Sequence, residues 1–313
     1  MDNLTHSLVG ALLGQAGLKR KTALAMPTLI IAANVPDIDA ACLFWLQGAE
    51  HLAFRRGITH GPLAMLILPV LLWALMLAWD GWRRRRHADR PAVHRGWLLA
   101  LAYIGTLSHP ALDWLNTYGV RLLEPFSSHW SYGDSIFIID LWLWIGMGGA
   151  MALSRWSERG GRPGWQRQAA IALIAVSAYV FANGVVTGLT EQRAATALRA
   201  VGVEPTLVVA SPPPIASWQR DVFWRNDLYY GQYAEAGGDA KPGAPITKAR
   251  HNAGDPRLAQ IAANNAEVRA FLFWSRMPVA EFAADGTLTL TDQRYRHALA
   301  VSRFIVIAKP EGR

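Results

Sequence analysis

The stretch "RGITHGPLAMLILPVLLWALMLAW", residues 56–79, decides the fold of this chain. Residues 62–79 are all apolar, so one helix of this length can cross a hydrocarbon core about 30 Å thick. Pro62 stands where a helix readily starts, because the first turn needs no hydrogen bond from its nitrogen. Directly before it stand Arg56, Thr59 and His60. The sequence therefore predicts a membrane span with ionisable residues at its edge.

The composition also indicates a membrane protein that carries a soluble part. Of the 313 residues, 52% are hydrophobic and only 17% are charged, against about 25% charged in soluble domains. The net charge of +8 arises from basic clusters between apolar segments, so nucleic acid is not expected as a partner. The single cysteine, Cys42, excludes an intrachain disulfide and a thiolate zinc site. The first residues show no cleavable signal pattern.

Further apolar segments surround the first one. Three more candidate spans and two shorter pieces are present: 97–116, 136–153 and 169–189, then 4–18 and 22–36. At 1.5 Å per residue each short piece reaches about 22 Å as a helix. Each piece therefore barely crosses the membrane, enters it and returns on the same side, or lies in the membrane–water interface. Basic clusters at Lys19–Lys21, Arg83–Arg95 and Arg155–Arg167 fall between alternate segments. The positive-inside rule places them in the cytoplasm. This predicts a multi-pass protein of the bacterial inner membrane, with the N-terminus and the chain beyond about residue 190 outside, in the periplasm.

The fold class predicted is mainly α: a polytopic helical membrane domain over 1–190 and a small α+β extramembrane domain over 200–313. In the second domain, 206–210 and 227–233 read as strands, 259–270 as a helix and 234–245 as a loop. Alternating apolar residues on both sides of Asp285-Gly286 predict a hairpin over 279–292.

Acids and histidines recur at the predicted outer ends of five apolar segments. They are His6, Asp37, Asp39, His60, His109, Asp113, Asp134 and Asp140. Ionisable groups at membrane depth are costly, and a functional site is the default interpretation. His109 and Asp113 are four residues apart, so on a helix both project from one face. Imidazole with carboxylate suits zinc or another first-row divalent ion. Asp37 and Asp39, on a turn after Pro36, are able to bridge two ions, the arrangement of phosphoryl-transfer sites.

Each residue also has a structural interpretation. His6 is a possible helix-start residue beside Asn3 and Thr5. Asp37 and Asp39 are possible helix caps, His60 a possible interfacial histidine, and His109 with Asp113 a possible buried hydrogen-bonded couple. Asp134 precedes an apolar run and is the best helix cap of the set. Asp140 lies inside that run, where we expect no cap, and is interpreted as a ligand, an outer-sphere partner or an ion-path residue.

Five motifs in order resemble one family: "LTHSLVG", "NVPDID", "RGITHG", "SHPALDWLNTYGVRLLEPFS" and "DSIFIIDLWLW". They resemble the YdjM-type inner-membrane metal-dependent hydrolases over roughly residues 1–155. The order His, Asp, His, His-x-x-x-Asp is more distantly similar to the zinc-dependent phospholipase C and P1 nuclease group, whose members hold three zinc ions. That likeness implies His6, Asp37 or Asp39, His60, His109 and Asp113 as metal ligands. The later His-x-x-x-acid pair of that group is not found here, since Trp130 and Ile136 stand four residues before Asp134 and Asp140. We expect between one and three divalent ions, with zinc as the first candidate.

The function predicted is a membrane-bound metal-dependent hydrolase that cleaves a phosphoester in a lipid or lipid-linked substrate at the outer membrane face. Asp37 or Asp39 would act as the general base. Arg56 and Arg121 would bind the substrate phosphate, or else they are interfacial arginines that snorkel. Two rivals remain: a metal-ion or proton-coupled transporter, and a non-catalytic membrane assembly factor. A transporter predicts ionisable groups through the whole membrane depth, whereas the centres of 62–79 and 169–189 carry none.

Overall fold

A computed structural model describes residues 1–87, 89–233, 248–296 and 301–310. The predicted loop 234–245 lies outside the described residues. The chain divides into two compact units. The first contains Met1–Asp39, Arg56–Val185 and Pro214–Trp218, and the second contains Ala40–Arg55, Val186–Pro213 and Gln219–Arg313. Residues 40–55, which the sequence assigns to the membrane domain, thus belong to the second unit.

The first unit is helical. Its helices are α1 Asn3–Gln15, α2 Ala25–Ala32, α4 Pro62–Arg86, α5 Arg95–Trp114, α6 Leu141–Arg159 and the first part of α7 Gln166–Ala200. The short helix α3 Glu50–Phe54 belongs to the second unit. Among the described residues, α4 and α7 are long and apolar enough to cross a membrane. The α2 helix and the 3-10 helix Val35–Phe44 qualify only as a pair, bent by 52°. The start of α4 at Pro62 confirms the sequence prediction.

Two glycines allow three helices of this unit to approach closely. A Cβ added to Gly10 of α1 would lie 2.6 Å from the carbonyl oxygen of Leu29 in α2, and one added to Gly105 of α5 would lie 2.5 Å from the Cβ of Ala32. Any larger side chain would push the helices apart. Because α1, α2 and α5 pack this closely, side chains near these glycines can meet between them.

The segment predicted as a span over 136–153 begins differently. Ile136 forms an isolated parallel bridge with Asn116, and the helix α6 starts only at Leu141. The apolar run 136–139 therefore precedes the helix, because its backbone pairs with the chain that follows α5.

The described residues of the second unit form two antiparallel sheets. The four-stranded sheet has the order β1-β2-β3-β4, with β1 Leu207–Ser211, β2 Asp221–Arg225, β3 Tyr229–Tyr233 and β4 Lys248–Arg250. The three-stranded sheet has β5 Pro278–Phe282, β6 Leu288–Asp292 and β7 Ile305–Ala308 in that order. The hairpin around Asp285-Gly286 is confirmed, with Gly286 at φ 87°. The predicted helix 259–270 is wrong as a single element: Asn265 ends α8 Pro256–Asn264 and caps α9 Ala266–Trp274.

Candidate metal centre

Four segments in the described part of the first unit bring five histidines and aspartates together. His6 lies on α1, Asp37 on the 3-10 helix that follows α2, and His60 at the end of the 3-10 turn Ile58–His60. His109 and Asp113 lie one turn apart on α5. All five side chains are buried. The predicted convergence of these residues is therefore present.

Four of these residues form a group with the geometry of a cation site. Asp37, His60, His109 and Asp113 each offer one ligand atom, and these atoms all lie within 4.8 Å of one another. Oδ2 of Asp113 is 3.2 Å from Nε2 of His60 and 3.5 Å from Nε2 of His109. Oδ1 of Asp37 is 3.8 Å from the same His109 nitrogen. We call these four residues the Asp/His cluster.

His6 lies beside the Asp/His cluster. Its Nε2 is 3.4 Å from Oδ1 of Asp113. Its ring stacks on that of His109, with centroids 3.7 Å apart and planes 13° apart. His6 therefore lies near Oδ1 of Asp113, whereas His60 and His109 lie near Oδ2.

Hydrogen bonds fix the orientation of two of the imidazoles. Nδ1 of His109 donates to the carbonyl oxygen of Ala33 at 2.7 Å, which leaves Nε2 as the ring nitrogen with a lone pair. Nδ1 of His60 lies 2.9 Å from the hydroxyl of Thr59, which donates to Oδ2 of Asp39 at 3.0 Å. Outer-sphere partners of this kind hold histidine ligands in place at metal sites. Both Nε2 atoms consequently point into the cluster.

Asp39 is one of the outer-sphere partners of His60. Its Oδ2 also accepts the backbone N–H of Arg56 at 2.8 Å, and Asp39 is not among the four residues whose ligand atoms converge. The sequence left Asp37 and Asp39 as alternatives in the ligand order. In the structure Asp37 lies in the cluster and Asp39 lies behind His60.

Arg56 contacts the cluster directly. Its Nε is 3.1 Å from Oδ2 of Asp113, and its Nη1 donates to Oδ1 of Asn116 at 3.1 Å. The guanidinium group also lies over the ring of Tyr118, 4.5 Å from the centroid. The amino group of Met1 contacts Oδ1 of Asp113. Arg56 is buried and directed at protein groups, so its predicted role in binding phosphate stays a prediction.

Arg121 lies further out. Its backbone N–H donates to the carbonyl of Arg56 at 2.9 Å, and its side chain pairs with Glu124 at 3.3 Å. Burial lowers the pKa of Arg121, against the opposing charge of Glu124. The side chain packs against Gly57 and over the ring of Trp130. A role for Arg121 in binding substrate likewise stays a prediction.

The structure places the two later aspartates outside the cluster. Asp140 is the N-cap of α6: its Oδ1 accepts the N–H groups of Trp142 and Leu143, and its Oδ2 accepts the hydroxyl of Tyr179 at 2.8 Å. The expectation that Asp140 is no cap is wrong, because α6 begins at Leu141 and not at the start of the apolar run. Asp134 is buried at φ 46° in the irregular segment before α6, so it does not cap that helix.

Sequence reasoning missed two contributors to the site. Neither Thr59 nor Asn116 is among the site residues predicted from the sequence. Asn116 accepts from Arg56 and its amide lies 3.5 Å from Oδ1 of Asp113. The position of Asn116, three residues after Asp113, was a usable signal, because such a spacing places two side chains on one side of a helix end.

The donors of the cluster fit a divalent cation. Two imidazole nitrogens and two carboxylate oxygens are the ligands that zinc and other first-row divalent ions take in sites without thiolates. Zinc holds four ligands at about 2 Å in a tetrahedron, so two ligand atoms of one ion lie about 3.3 Å apart. The ligand atoms of the cluster lie within 4.8 Å of one another, so a contraction of up to about 1.5 Å would complete such a shell. The cluster can therefore hold a metal ion.

These features define a class: a mainly helical protein whose described residues include two helices able to cross a membrane and a buried Asp/His cluster that could hold a metal ion. Comparison with protein families gives the assignment within that class. The chain belongs to the YdjM inner membrane protein family, whose model matches residues 1–189. No curated protein and no solved structure matches this chain. The family predicted from the sequence motifs is thus confirmed, while the likeness to the phospholipase C and P1 nuclease group stays a prediction.

Proposed function

We propose that this protein is a membrane-bound metal-dependent hydrolase that cleaves a phosphoester in a lipid or lipid-linked substrate at the outer membrane face. One observation carries the proposal: four buried ligand atoms from three separate segments converge within 4.8 Å. Buried carboxylates and imidazoles at this density are costly unless a cation or chemistry requires them.

Asp37, His60, His109 and Asp113 would hold the ion, with zinc as the first candidate, and His6 is placed to complete the shell or to hold a second ion through Asp113. When bound, such an ion supplies a Lewis acid that makes a water nucleophilic near neutral pH and stabilises the charge on a phosphoryl group. The tautomers set by Ala33 and Thr59 present both Nε2 lone pairs to it.

Of the two aspartates predicted as the general base, Asp37 is the better placed. It lies in the cluster, whereas Oδ2 of Asp39 already accepts from Thr59 and Arg56. Asp37 would take the proton of the attacking water, and Asp39 would hold His60. Arg56 would act as a positioning residue, because it offsets the charge of Asp113 and holds that carboxylate together with Asn116.

The location of α4 supports a lipid or lipid-linked substrate. His60 stands immediately before this helix, which is long and apolar enough to cross a membrane. The cluster would then lie near the lipid headgroups, at the level where a phosphoester of a membrane lipid is found. The positive-inside rule places this level on the periplasmic side.

The first experiment measures metal bound to protein purified in detergent, by mass spectrometry. The His109→Ala/Asp113→Ala variant is compared with wild type and with His251→Ala/Asp255→Ala, which removes the same residue types at the same spacing in the second unit. We expect about one to three divalent ions in wild type and in the control, and none in the cluster variant. Metal-free wild type after incubation with zinc or manganese would contradict the proposal.

Activity is tested next with phosphoester lipids in mixed micelles. We expect phosphate or phospho-headgroup release by wild type and the control, and none by the cluster variant. Metal binding without cleavage of any phosphoester, but with metal uptake in sealed vesicles, would favour the transporter instead.

A further inference from the structure

We infer that four exposed apolar side chains beside the Asp/His cluster form a surface that holds the acyl chains of a membrane lipid while its headgroup reaches the cluster. They are Ile38, Ile58, Leu123 and Phe126, and we call them the apolar collar. The inference rests on the proposed function and deepens it, because it names the residues that would select a substrate by its hydrocarbon part.

The collar residues point outward from the segments whose neighbours point into the site. Ile38 is 61% exposed between the buried Asp37 and Asp39. Ile58 is 63% exposed two residues before the buried His60. Each segment therefore presents ligand or orienting groups on one side and a large apolar group on the other.

Leu123 and Phe126 belong to a third segment, with exposed fractions of 57% and 73%. This segment packs on the one that carries Ile58 and His60: Arg121 donates to the carbonyl of Arg56, and the carbonyl of Glu124 abuts Gly61 so closely that no Cβ fits there. The Ile38 segment joins the same structure through the hydrogen bond from Thr59 to Asp39. The collar thus lies on three segments that are packed together at the cluster.

Continuity with α4 identifies the occupant of this surface. Leu63, Leu66 and Ile67 are exposed along the first turns of α4, which directly follows Ile58 and His60. A helix this apolar faces lipid hydrocarbon when it crosses a membrane. Exposing such side chains to water costs about 25 cal/mol per Å² of apolar area, so the collar extends the lipid-facing surface of α4 to the segments that carry the cluster. Acyl chains of the bilayer are therefore the occupant that we assign.

The first test locates the collar in the bilayer without reference to activity. Cys42 is the only cysteine and is fully buried, so a nitroxide label reaches a cysteine introduced by Phe126→Cys. The control is Ser128→Cys, an exposed polar position on the same segment. With the protein in phosphatidylglycerol/phosphatidylethanolamine vesicles, we expect oxygen to relax the label at 126 strongly and an aqueous nickel chelate to relax the label at 128.

Two results of this test overturn the inference. One is equal access of the nickel chelate to both labels. The other is strong dipolar coupling between labels at 126 of two molecules, since the collar would then be covered by a second copy of the chain. Either result leaves the metal measurement unaffected, and a metal-free protein with a lipid-buried collar would reject the proposed function alone.

The second test measures selection by chain length. The Ile58→Ser/Phe126→Ser variant is compared with wild type on a long-chain phospholipid in vesicles and on a water-soluble short-chain analogue with the same headgroup. We expect kcat/KM to fall on the order of 10-fold or more for the long-chain lipid. Cleavage of the short-chain analogue and bound metal should stay unchanged. Equal losses on both substrates, or no loss on either, would overturn the inference.

Discussion

Two buried aspartates, one in each unit, differ in what surrounds them. Asp292 in the second unit is fully buried, and Ser275, Met277 and Arg294 satisfy its oxygens: the Ser275 hydroxyl donates at 2.6 Å, the Met277 N–H at 3.2 Å, and Arg294 forms two bonds of 2.9 and 3.0 Å. Burial alone would raise the pKa of Asp292, but the charge and hydrogen bonds of Arg294 hold it below its usual value.

Asp113 in the first unit is equally buried and also has an arginine, Arg56. Three imidazoles additionally surround it, those of His6, His60 and His109, at 3.4, 3.2 and 3.5 Å. One arginine is enough to neutralise a buried carboxylate, as Asp292 shows. The additional imidazoles give Asp113 neighbours that could hold a metal ion with it, whereas the pair at Asp292 is structural.

The largest effect on stability is expected where the pair is structural. Asp292→Ala leaves Arg294 buried without its carboxylate, so we expect the second unit to lose about 3–5 kcal/mol. Hydrogen exchange of the peptides that cover residues 274–296 would measure this loss, and bound metal should stay the same.

The matched control replaces both charges. In the Asp292→Leu/Arg294→Leu variant no unpaired charge remains, so most of the lost stability should return. If the single and the double variant lose equal stability, the comparison between the two aspartates is mistaken.

A smaller effect, on metal affinity and not on stability, is expected at Thr59, whose hydroxyl contacts His60. Thr59→Val keeps the shape of the side chain but removes the hydroxyl that links His60 to Asp39. We expect metal affinity to fall about 10- to 100-fold, as for other outer-sphere partners, measured by competition with a chelator of known affinity. Thr196→Val, which removes an exposed hydroxyl from α7, should leave the affinity unchanged. Unchanged affinity in Thr59→Val as well would show that this chain of hydrogen bonds does not orient His60.

The smallest effect is expected at Asp140, the N-cap of α6. Asp140→Ala removes the acceptor for two backbone N–H groups and should cost about 1 kcal/mol, seen as a lower thermal midpoint of the protein in detergent. Asp140→Asn should retain most of the stability, because asparagine also caps helices. Bound metal should be equal in all three proteins. Loss of metal from both variants would restore the interpretation of Asp140 as a ligand or outer-sphere partner.

The residues of the Asp/His cluster stand out in the sequence because membrane-edge chemistry is local. An acid or histidine at the end of an apolar segment is conspicuous in the chain itself, and the spacing of His109 and Asp113 already places both on one helix face. The hairpin around Asp285-Gly286 was predictable for a similar reason, since Asp-Gly between alternating apolar residues is a local signal.

Predictions that depended on where a helix begins were less accurate. The apolar run 136–153 predicts a helix with Asp140 in its interior. Because Ile136 instead forms a bridge with Asn116, α6 begins only after Asp140. Asn265 was read as the interior of a helix, but its side chain caps α9. In both cases a hydrogen bond of the backbone, which hydrophobicity does not reveal, decides where the helix begins.

By itself, the sequence determined that this chain has apolar segments of membrane length, that eight acids and histidines lie near the ends of apolar segments, and which family it resembles. Only the tertiary structure decided that Asp37 enters the cluster while Asp39 stands behind His60, and that Arg56 contacts Asp113. These relations join residues far apart in the chain, and they depend on how closely α1, α2 and α5 pack at Gly10 and Gly105. Periodicity describes one helix at a time, whereas a metal centre is set by distances between helices.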